Sequence, residues 1–232
     1  MAERRRANGN TESVDNYLKA ILTLGGGDQR RVTSKSLSDQ LGVAPASVTN
    51  MLQKLAAAAA PLVEYERHRG VLLSSAGKRR ALEVLRHHRL IETFLYEILD
   101  YPIDEVHEEA ERLEHFISER FEERIAAKLG HPKLDPHGHS IPTLDGHMAA
   151  QASIPLTEVV KVGTFVIASV SDRDARSLRV MESCGITPGA KLRVLKSSAK
   201  GSYSVSIGRS SKAFNLSREV AGDVRILPLA KG

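Results

Sequence analysis

Apolar residues recur at the helical period through the first half of the chain and at the strand period from about residue 156 onward. The longest periodic stretch is 102–129, PIDEVHEEAERLEHFISERFEERIAAKL. There Val106, Ala110, Leu113, Ile117, Phe121 and Ile125 follow one another at steps of three and four, which predicts one helix with one apolar face. Pro102 suits its first turn, where a missing N–H costs nothing. Residues 13–24 predict an earlier helix, with Ser13 as N-cap, Tyr17, Leu18, Ile21 and Leu22 inward, and Gly25, Gly26 and Gly27 ending it. Residues 1–10 have no period and read as a mobile arm. Its Arg4, Arg5 and Arg6 are either a solvated tail or contacts to phosphate.

Between these helices the pattern shortens. Thr33 or Ser34 caps a short helix with Leu37 and Leu41 inward, Gly42 stops it, and Ala44-Pro45-Ala46 starts another with Val48, Leu52 and Leu55 inward. A short helix, a tight glycine turn and a second helix is the helix-turn-helix layout. The face left outward carries Ser47, Thr49, Asn50, Gln53 and Lys54, side chains that read base edges and phosphate; Ser36 and Pro45 border it. Residues 62–73 then predict two short strands around a basic turn, a wing with Arg67, His68 and Arg69 at its tip facing phosphate. Ser74 or Ser75 caps the next helix, and Tyr101-Pro102 marks the break after it.

Residues 130–155 are rich in Pro, Gly and His and predict a linker or extended loop. His131, His137, His139 and His147 lie there at irregular spacing and read as polar loop histidines or, alternatively, a metal cluster. Beyond them, VVKVGTFVIASV, AKLRVLKSS, YSVSIG, KAFNLS and VRILPL are short β-branched segments bounded by turn residues, with SLRVMESC the one helical segment. This predicts a small β-barrel-like domain. Asp172, Arg173 and Asp174 fall in a loop after its first strand. The fold class is therefore mainly α with a β domain.

Charge changes the picture more than composition does. With 26% charged and 41% hydrophobic residues the chain has an ordinary globular balance, but its net +5 is uneven. Residues 1–90 hold 15 Lys/Arg against 8 Asp/Glu, residues 91–130 hold 4 against 12, and residues 131–232 hold 14 against 8. The basic first part suits a polyanion and the acidic middle suits a cation. No apolar run approaches the ~18 residues that a membrane span needs, and no signal-peptide pattern is present. Cys184 is the lone cysteine, which excludes an internal disulfide and a multi-Cys zinc site and fits a reducing cytoplasm.

The acidic middle carries the candidate chemistry. His107, Glu111, Glu114 and His115 form a stripe at one-turn spacing, and His88 and Glu92 repeat that spacing on the preceding helix. Such stripes are either a solvated face or two sets of ligands converging on a metal, as in helix-bundle sites.

Taken in order, these segments resemble the DtxR/MntR family of bacterial metal-dependent transcriptional regulators. SVTNMLQKL with LVEYERHRGVLLSSAGKRRAL is similar to its helix–wing–helix, HRLIETFLYEILDYPIDEVHEEAERLEHFISE to its metal-binding helices, HPKLDPHGHSIP to the following linker, and the last segment to the SH3-like, FeoA-type domain of longer members. The resemblance implies a winged helix-turn-helix over 1–74, a helical dimerisation and metal-binding domain over 75–140, a linker over 141–155 and an SH3-like barrel over 156–232. It implies a cytoplasmic homodimer that binds palindromic operator DNA when metal-loaded, with no membrane partner. It also implies an ancillary site of His88, Glu92 and His107, with Asp172 or Asp174 as a further oxygen, and a primary site of Glu111, Glu114 and His115. The last primary ligand falls on Asn16, where manganese-type relatives carry Asp and iron-type relatives Met. Lys19 stands where some manganese sensors have Glu, which favours separate sites over a paired-metal one.

Oxygen and imidazole without sulfur favour Mn²⁺, with Fe²⁺ second and Co²⁺, Ni²⁺, Zn²⁺ or Cd²⁺ able to bind in vitro. Two rival functions remain at this point. One is a metal-independent winged-helix regulator whose acidic helix serves dimerisation. The other is a helical metal-carboxylate enzyme, against which the chain lacks a second His for a His-Glu-x-x-His helix and lacks paired Glu-x-x-His motifs.

Overall fold

The computed structural model describes residues 2–26, 30–197, 202–210 and 212–229, with side chains from residue 11 on. It divides into two compact units. One comprises Met1–His87, Glu114–Ile117 and Pro142–Met148; the other comprises His88–Leu113, Ser118–Ile141 and Ala149–Gly232.

In the first unit, helix α1 spans Ala2–Leu24. It begins well before Ser13, so the backbone expected as an arm is helical and Ser13 is no cap; the side chains of Arg4, Arg5 and Arg6 lie outside the described residues. Helix α2 (Ser34–Leu41) is capped by the Thr33 hydroxyl, which accepts from the Ser36 N–H, and ends on Gly42 at φ 64°. A Cβ is strained in that left-handed region, so glycine suits the turn. Helix α3 (Pro45–Ala56) opens on Pro45 and buries Val48, Leu52 and Leu55. Strands β1 (Val63–Glu66) and β2 (Gly70–Leu73) pair antiparallel from Val63–Leu73 to Glu66–Gly70. Val32 bridges Val71, adding a third short backbone contact beside β2. One core joins α1, α2, α3 and the wing through Leu18, Ile21, Leu37, Leu52, Val63 and Val71.

Helix α4 (Ser75–Leu99) begins where the Ser74 hydroxyl accepts from the Gly77 N–H. Asp100, with φ 55°, follows its end. The helix expected over 102–129 is two: α5 (Val106–Leu113) and α6 (Glu119–Lys128). Ser118 interrupts it by capping α6, its hydroxyl accepting from the Phe121 N–H, while Glu119 and Glu122 in the first turn suit the helix dipole. The break inverts part of the expected apolar face, for Leu113 and Phe121 are exposed and Glu114 and Glu122 are buried. Pro102 precedes α5 in a turn, its carbonyl accepting from the Glu105 N–H.

The C-terminal part of the second unit is a six-stranded antiparallel sheet. Its strands are β3 (Ile154–Pro155), β4 (Gly163–Val170), β5 (Lys191–Ser197), β6 (Tyr203–Ile207), β7 (Phe214–Leu216) and β8 (Val224–Pro228), in the order β3-β8-β4-β5-β6-β7. The expected strands are present, but the sheet is not closed into a barrel: β3 and β7 are its edges. Helix α7 (Ala175–Ser183) is joined by the short α8 (Arg218–Gly222), which the residue pattern does not predict. Leu156, Ile167, Leu178, Met181, Leu192 and Ile226 fill this domain's core.

The start of α4 sets a tight tolerance. A Cβ on Gly77 would lie 1.9 Å from the backbone carbonyl oxygen of Leu62. Gly77→Ala is expected to destabilise the first unit by at least about 1–3 kcal/mol, the range of overpacking strain; a thermal melt superposable on that of the native chain would refute this.

Candidate metal centre and DNA-binding face

One side chain organises the second unit's polar interior. Glu92, on α4, is wholly buried, yet its polar neighbours are imidazoles. His88 lies one turn earlier on the same helix, and its Nε2 is 3.0 Å from Glu92 Oε1. His107, on α5, brings Nδ1 to 3.2 Å from that oxygen and 3.2 Å from His88 Nε2. Two ring nitrogens and a carboxylate oxygen thus crowd one point, the convergence that one-turn spacing on two helices makes available. Asp172, in the loop after β4, places Oδ2 3.6 Å from His107 Nδ1. Glu111 stands 3.9 Å from His88 Nδ1 and 3.9 Å from His107 Nε2, so the structure sets it beside this cluster.

His137 completes the cluster from the loop between α6 and β3. It is fully buried, and its Nδ1 faces Glu92 Oε1 at 3.8 Å, beyond hydrogen-bond length. Its Nε2 donates to the Ile103 carbonyl at 3.2 Å, which turns Nδ1 to the Glu92 side. Sequence reasoning left His137 open, as a polar loop residue or part of a histidine metal cluster, and did not join it to His88, Glu92 and His107. The signal that could have found it is the Asp-x-His-x-His spacing of Asp135, His137 and His139. Asp135 Oδ1 accepts the backbone N–H of His137 and of His139, both at 2.9 Å, and Arg89 Nε lies 3.3 Å from Oδ2. That local turn, not chain periodicity, aims His137 inward.

The electrostatics fit a cation. Burial pushes the Glu92 carboxyl up, but His88, His107 and His137 outweigh it and hold it well below the usual carboxylate range. For His137 burial favours the neutral ring, yet Glu92 prevails and the pKa is pushed up to about 9. Burial likewise raises Asp172, and His139, His107 and His137 bring it below its ordinary value. Glu92 Oε2 and His137 Nδ1 are buried without a hydrogen-bond partner. Ligand atoms of His88, Glu92 and His107, and those of Glu92, His137 and Asp172, lie within 4.8 Å of one another. Orphaned buried donors and acceptors around a carboxylate, all nitrogen and oxygen, fit a divalent transition metal. Asp174, by contrast, caps α7, accepting from the Arg176 and Ser177 N–H groups and the Ser177 hydroxyl.

The expected primary-site residues Asn16, Glu114 and His115 meet in the first unit. His115 Nε2 is 2.9 Å from Asn16 Oδ1 and 3.2 Å from Glu114 Oε1. Lys19 also enters this group, a contact not foreseen, with Nζ at 2.6 and 2.8 Å from the two oxygens of the buried Glu114.

The DNA-binding candidates share the first unit. Pro45, Ser47, Asn50 and Lys54 are exposed along α3, and Arg67 and Arg69 at the wing tip. Thr49 is half-buried and its hydroxyl donates to the Pro45 carbonyl. Ser36 is half-buried and shares a hydrogen bond with Thr33. Arg69 reaches back to Glu66 at 3.0 Å, an exposed pair.

A winged helix-turn-helix together with a buried His/carboxylate cluster on helices defines a class of DNA-binding proteins with a metal site of their own. Comparison with known proteins narrows the class. Residues 10–71 match the N-terminal DNA binding domain of the iron dependent repressors, residues 74–143 their metal binding and dimerisation domain, and residues 154–228 the FeoA domain. A solved manganese-dependent transcriptional repressor in complex with manganese superposes with a TM-score of 0.85 at 38% identity, over 93% of this chain and 100% of that one. ScaR with bound Zn²⁺ superposes at 0.78 and 31% identity, over 93% and 99%. The iron-dependent repressor IdeR of Mycobacterium tuberculosis is 25% identical over 197 residues, covering 79% of this chain and 84% of that protein. The chain belongs to the DtxR/MntR family of metal-dependent, DNA-binding transcriptional repressors. It is not an enzyme. No helix among the described residues is long and apolar enough to cross a membrane.

The loop bearing His137 is a sensitive point. Gly138 has φ +87°, and a Cβ there would sit 2.2 Å from the Ala168 carbonyl oxygen. Gly138→Ala is expected to cost at least about 1–2 kcal/mol for the left-handed backbone alone and to weaken metal binding. A calorimetric Mn²⁺ titration beside a thermal melt checks both.

Proposed function

We propose that this chain is a cytoplasmic, homodimeric repressor that binds palindromic operator DNA in response to Mn²⁺, with Fe²⁺ as the second candidate. The observation that carries this reading is the buried Glu92 carboxylate ringed by His88, His107 and His137, with no sulfur donor. His88, Glu92, His107, His137 and Asp172 would hold the ion. Bound there, it would supply positive charge beside the buried carboxylate, in place of the proton that His137 otherwise carries, and a cross-link between side chains of α4, α5 and two loops.

The protein's own residues carry the rest. Glu92 and Asp172 give the cluster its charge, and the Ile103 carbonyl fixes the tautomer of His137. A homodimer docks on DNA when its two recognition helices stand about one helical turn apart. An arrangement of α4 and α5 that suits the ion and also sets that spacing is favoured by both ligands, so each tightens the other. Ser47, Thr49 and Asn50 on α3 supply sequence choice, while Lys54, Arg67 and Arg69 neutralise phosphate.

The first test is a DNA-binding titration of the metal-stripped protein with Mn²⁺, Fe²⁺ and Zn²⁺ at matched free concentrations, on its own promoter and on neighbouring metal-transporter promoters. A sharp, chelator-reversible response to Mn²⁺ is expected; equal binding with and without metal would return the chain to the metal-independent rival. Glu92→Gln, which keeps shape and removes charge, should lower the metal-free melt near neutral pH, because the pairing that holds Glu92 ionised and raises His137 is lost, and should reduce the metal response of DNA binding by more than about tenfold, or about 1.4 kcal/mol. Arg69→Ala should weaken binding to every sequence and lower the salt slope by about one. A change of base preference alone would contradict the phosphate role.

A further inference from the structure

Two of the polar clusters in the described part of this molecule are balanced in different ways. Around Glu92 stand three imidazoles and the Asp172 carboxylate with no lysine or arginine contact among those described, whereas buried atoms without hydrogen bonds occur in both clusters, at Glu92 Oε2 and His137 Nδ1 in one and at His115 Nδ1 in the other. In the first unit the cluster of Asn16, Glu114 and His115 holds cations of its own. Lys19 Nζ contacts both oxygens of Glu114, at 2.6 and 2.8 Å, and both side chains are nearly or fully buried. Arg80 Nε is 2.6 Å from Asp15 Oδ1, and Asp15 Oδ2 faces His115 Nδ1 at 3.6 Å. Two cationic and two anionic groups therefore cancel among themselves.

The donor set there does not fit a divalent ion. Asn16 contributes a neutral amide where a carboxylate would add charge. His115 Nε2 is already engaged, 2.9 Å from Asn16 Oδ1 and 3.2 Å from Glu114 Oε1. His87 Nδ1 meets the Glu114 carbonyl at 3.2 Å, holding the same turn from another side. An ion at Glu114 would have to displace a buried ammonium from a two-oxygen contact and leave that charge in a desolvated place.

We propose that Lys19 is a built-in cation: its ammonium ties α1 to the turn after α5 permanently, and the chain takes metal at the Glu92 cluster only. This rests on the metal-dependent reading above and narrows it to one responsive site per chain. It also gives the Lys19–Glu114 pair, 95 residues apart in sequence, a structural role that does not vary with metal supply.

The test counts ions. The full-length, metal-stripped protein is dialysed to equilibrium against saturating Mn²⁺ and the bound metal measured for the native chain, Glu92→Gln, Lys19→Gln and the double variant Lys19→Gln/Asn16→Asp. The native chain should hold one ion, and Glu92→Gln should lose it. The double variant should hold two, because it frees Glu114 and restores a charged oxygen at position 16. Metal-free Lys19→Gln should melt below the native chain, since Glu114 is left buried without its partner, and the double variant should regain stability with Mn²⁺. Two ions on the native chain, one surviving in Glu92→Gln, would overturn the proposal. So would a double variant that folds and still holds one. No ion on the native chain would instead sink the metal-dependent reading while leaving the Lys19–Glu114 tie to be judged by the melts. Should the Lys19 variants fail to fold, the counts on the native chain and Glu92→Gln decide alone.

Discussion

A carboxylate without water is the constraint on which the second unit depends. Moving an ionised carboxyl out of solvent costs several kcal/mol even after relaxation, unless charge and hydrogen bonds answer it. Glu92 is answered only in part: three imidazoles surround Oε1, while Oε2 has no hydrogen-bond partner. Much of the nearby structure is arranged around that deficit. α4 supplies His88 one turn away, α5 supplies His107, a tight loop supplies His137, and the loop after β4 supplies Asp172. The first unit meets the same constraint differently. Its buried Glu114 is answered by Lys19, and its Asp15 by Arg80.

Chemistry and fold therefore divide along the same line as the charge pattern. The basic N-terminal third builds a helix-turn-helix and wing whose tip is exposed and cationic, while the acidic middle turns inward around histidine. The FeoA-type domain reaches the same cluster, because Asp172, 3.6 Å from His107, belongs to its first long connection. Asp172 and Asp174 are two residues apart and do different things. The first faces His107 and the second begins α7.

Local signals in the sequence were legible and distant ones were not. Thr33, Gly42 and Pro45 mark helix ends by their own stereochemistry, and alternation marks the wing, so the DNA-binding unit could be placed residue by residue. His88 and Glu92 were legible because a turn of α4 stacks them, and His107 because the same spacing places it one turn before Glu111 on α5. The break at Ser118 was masked by apolar spacing that runs through it, although Ser118 with Glu119 and Glu122 is a helix start. The start of α1 was missed because Ala2–Asn10 lacks an apolar face, and helices do form without one. The open sheet could not be told from a closed one, since strand spacing does not encode which edges meet. His137 owes its position to Asp135, and Lys19 meets Glu114 across 95 residues; neither leaves a periodic trace.

The loop around His137 is tied down by the chain alone. Asp135 binds two of its N–H groups, Arg89 stands against Asp135, the Val170 N–H donates to the His137 carbonyl, and Gln151 donates to that of Gly138. Hydrogen bonds within the chain thus hold this loop in place. An ion that does not have to fold its own binding loop can leave without unfolding it. On the metal-dependent reading proposed above, such a site would exchange with its surroundings and follow the free concentration of metal, whereas a site that folds around its ion retains it as a store.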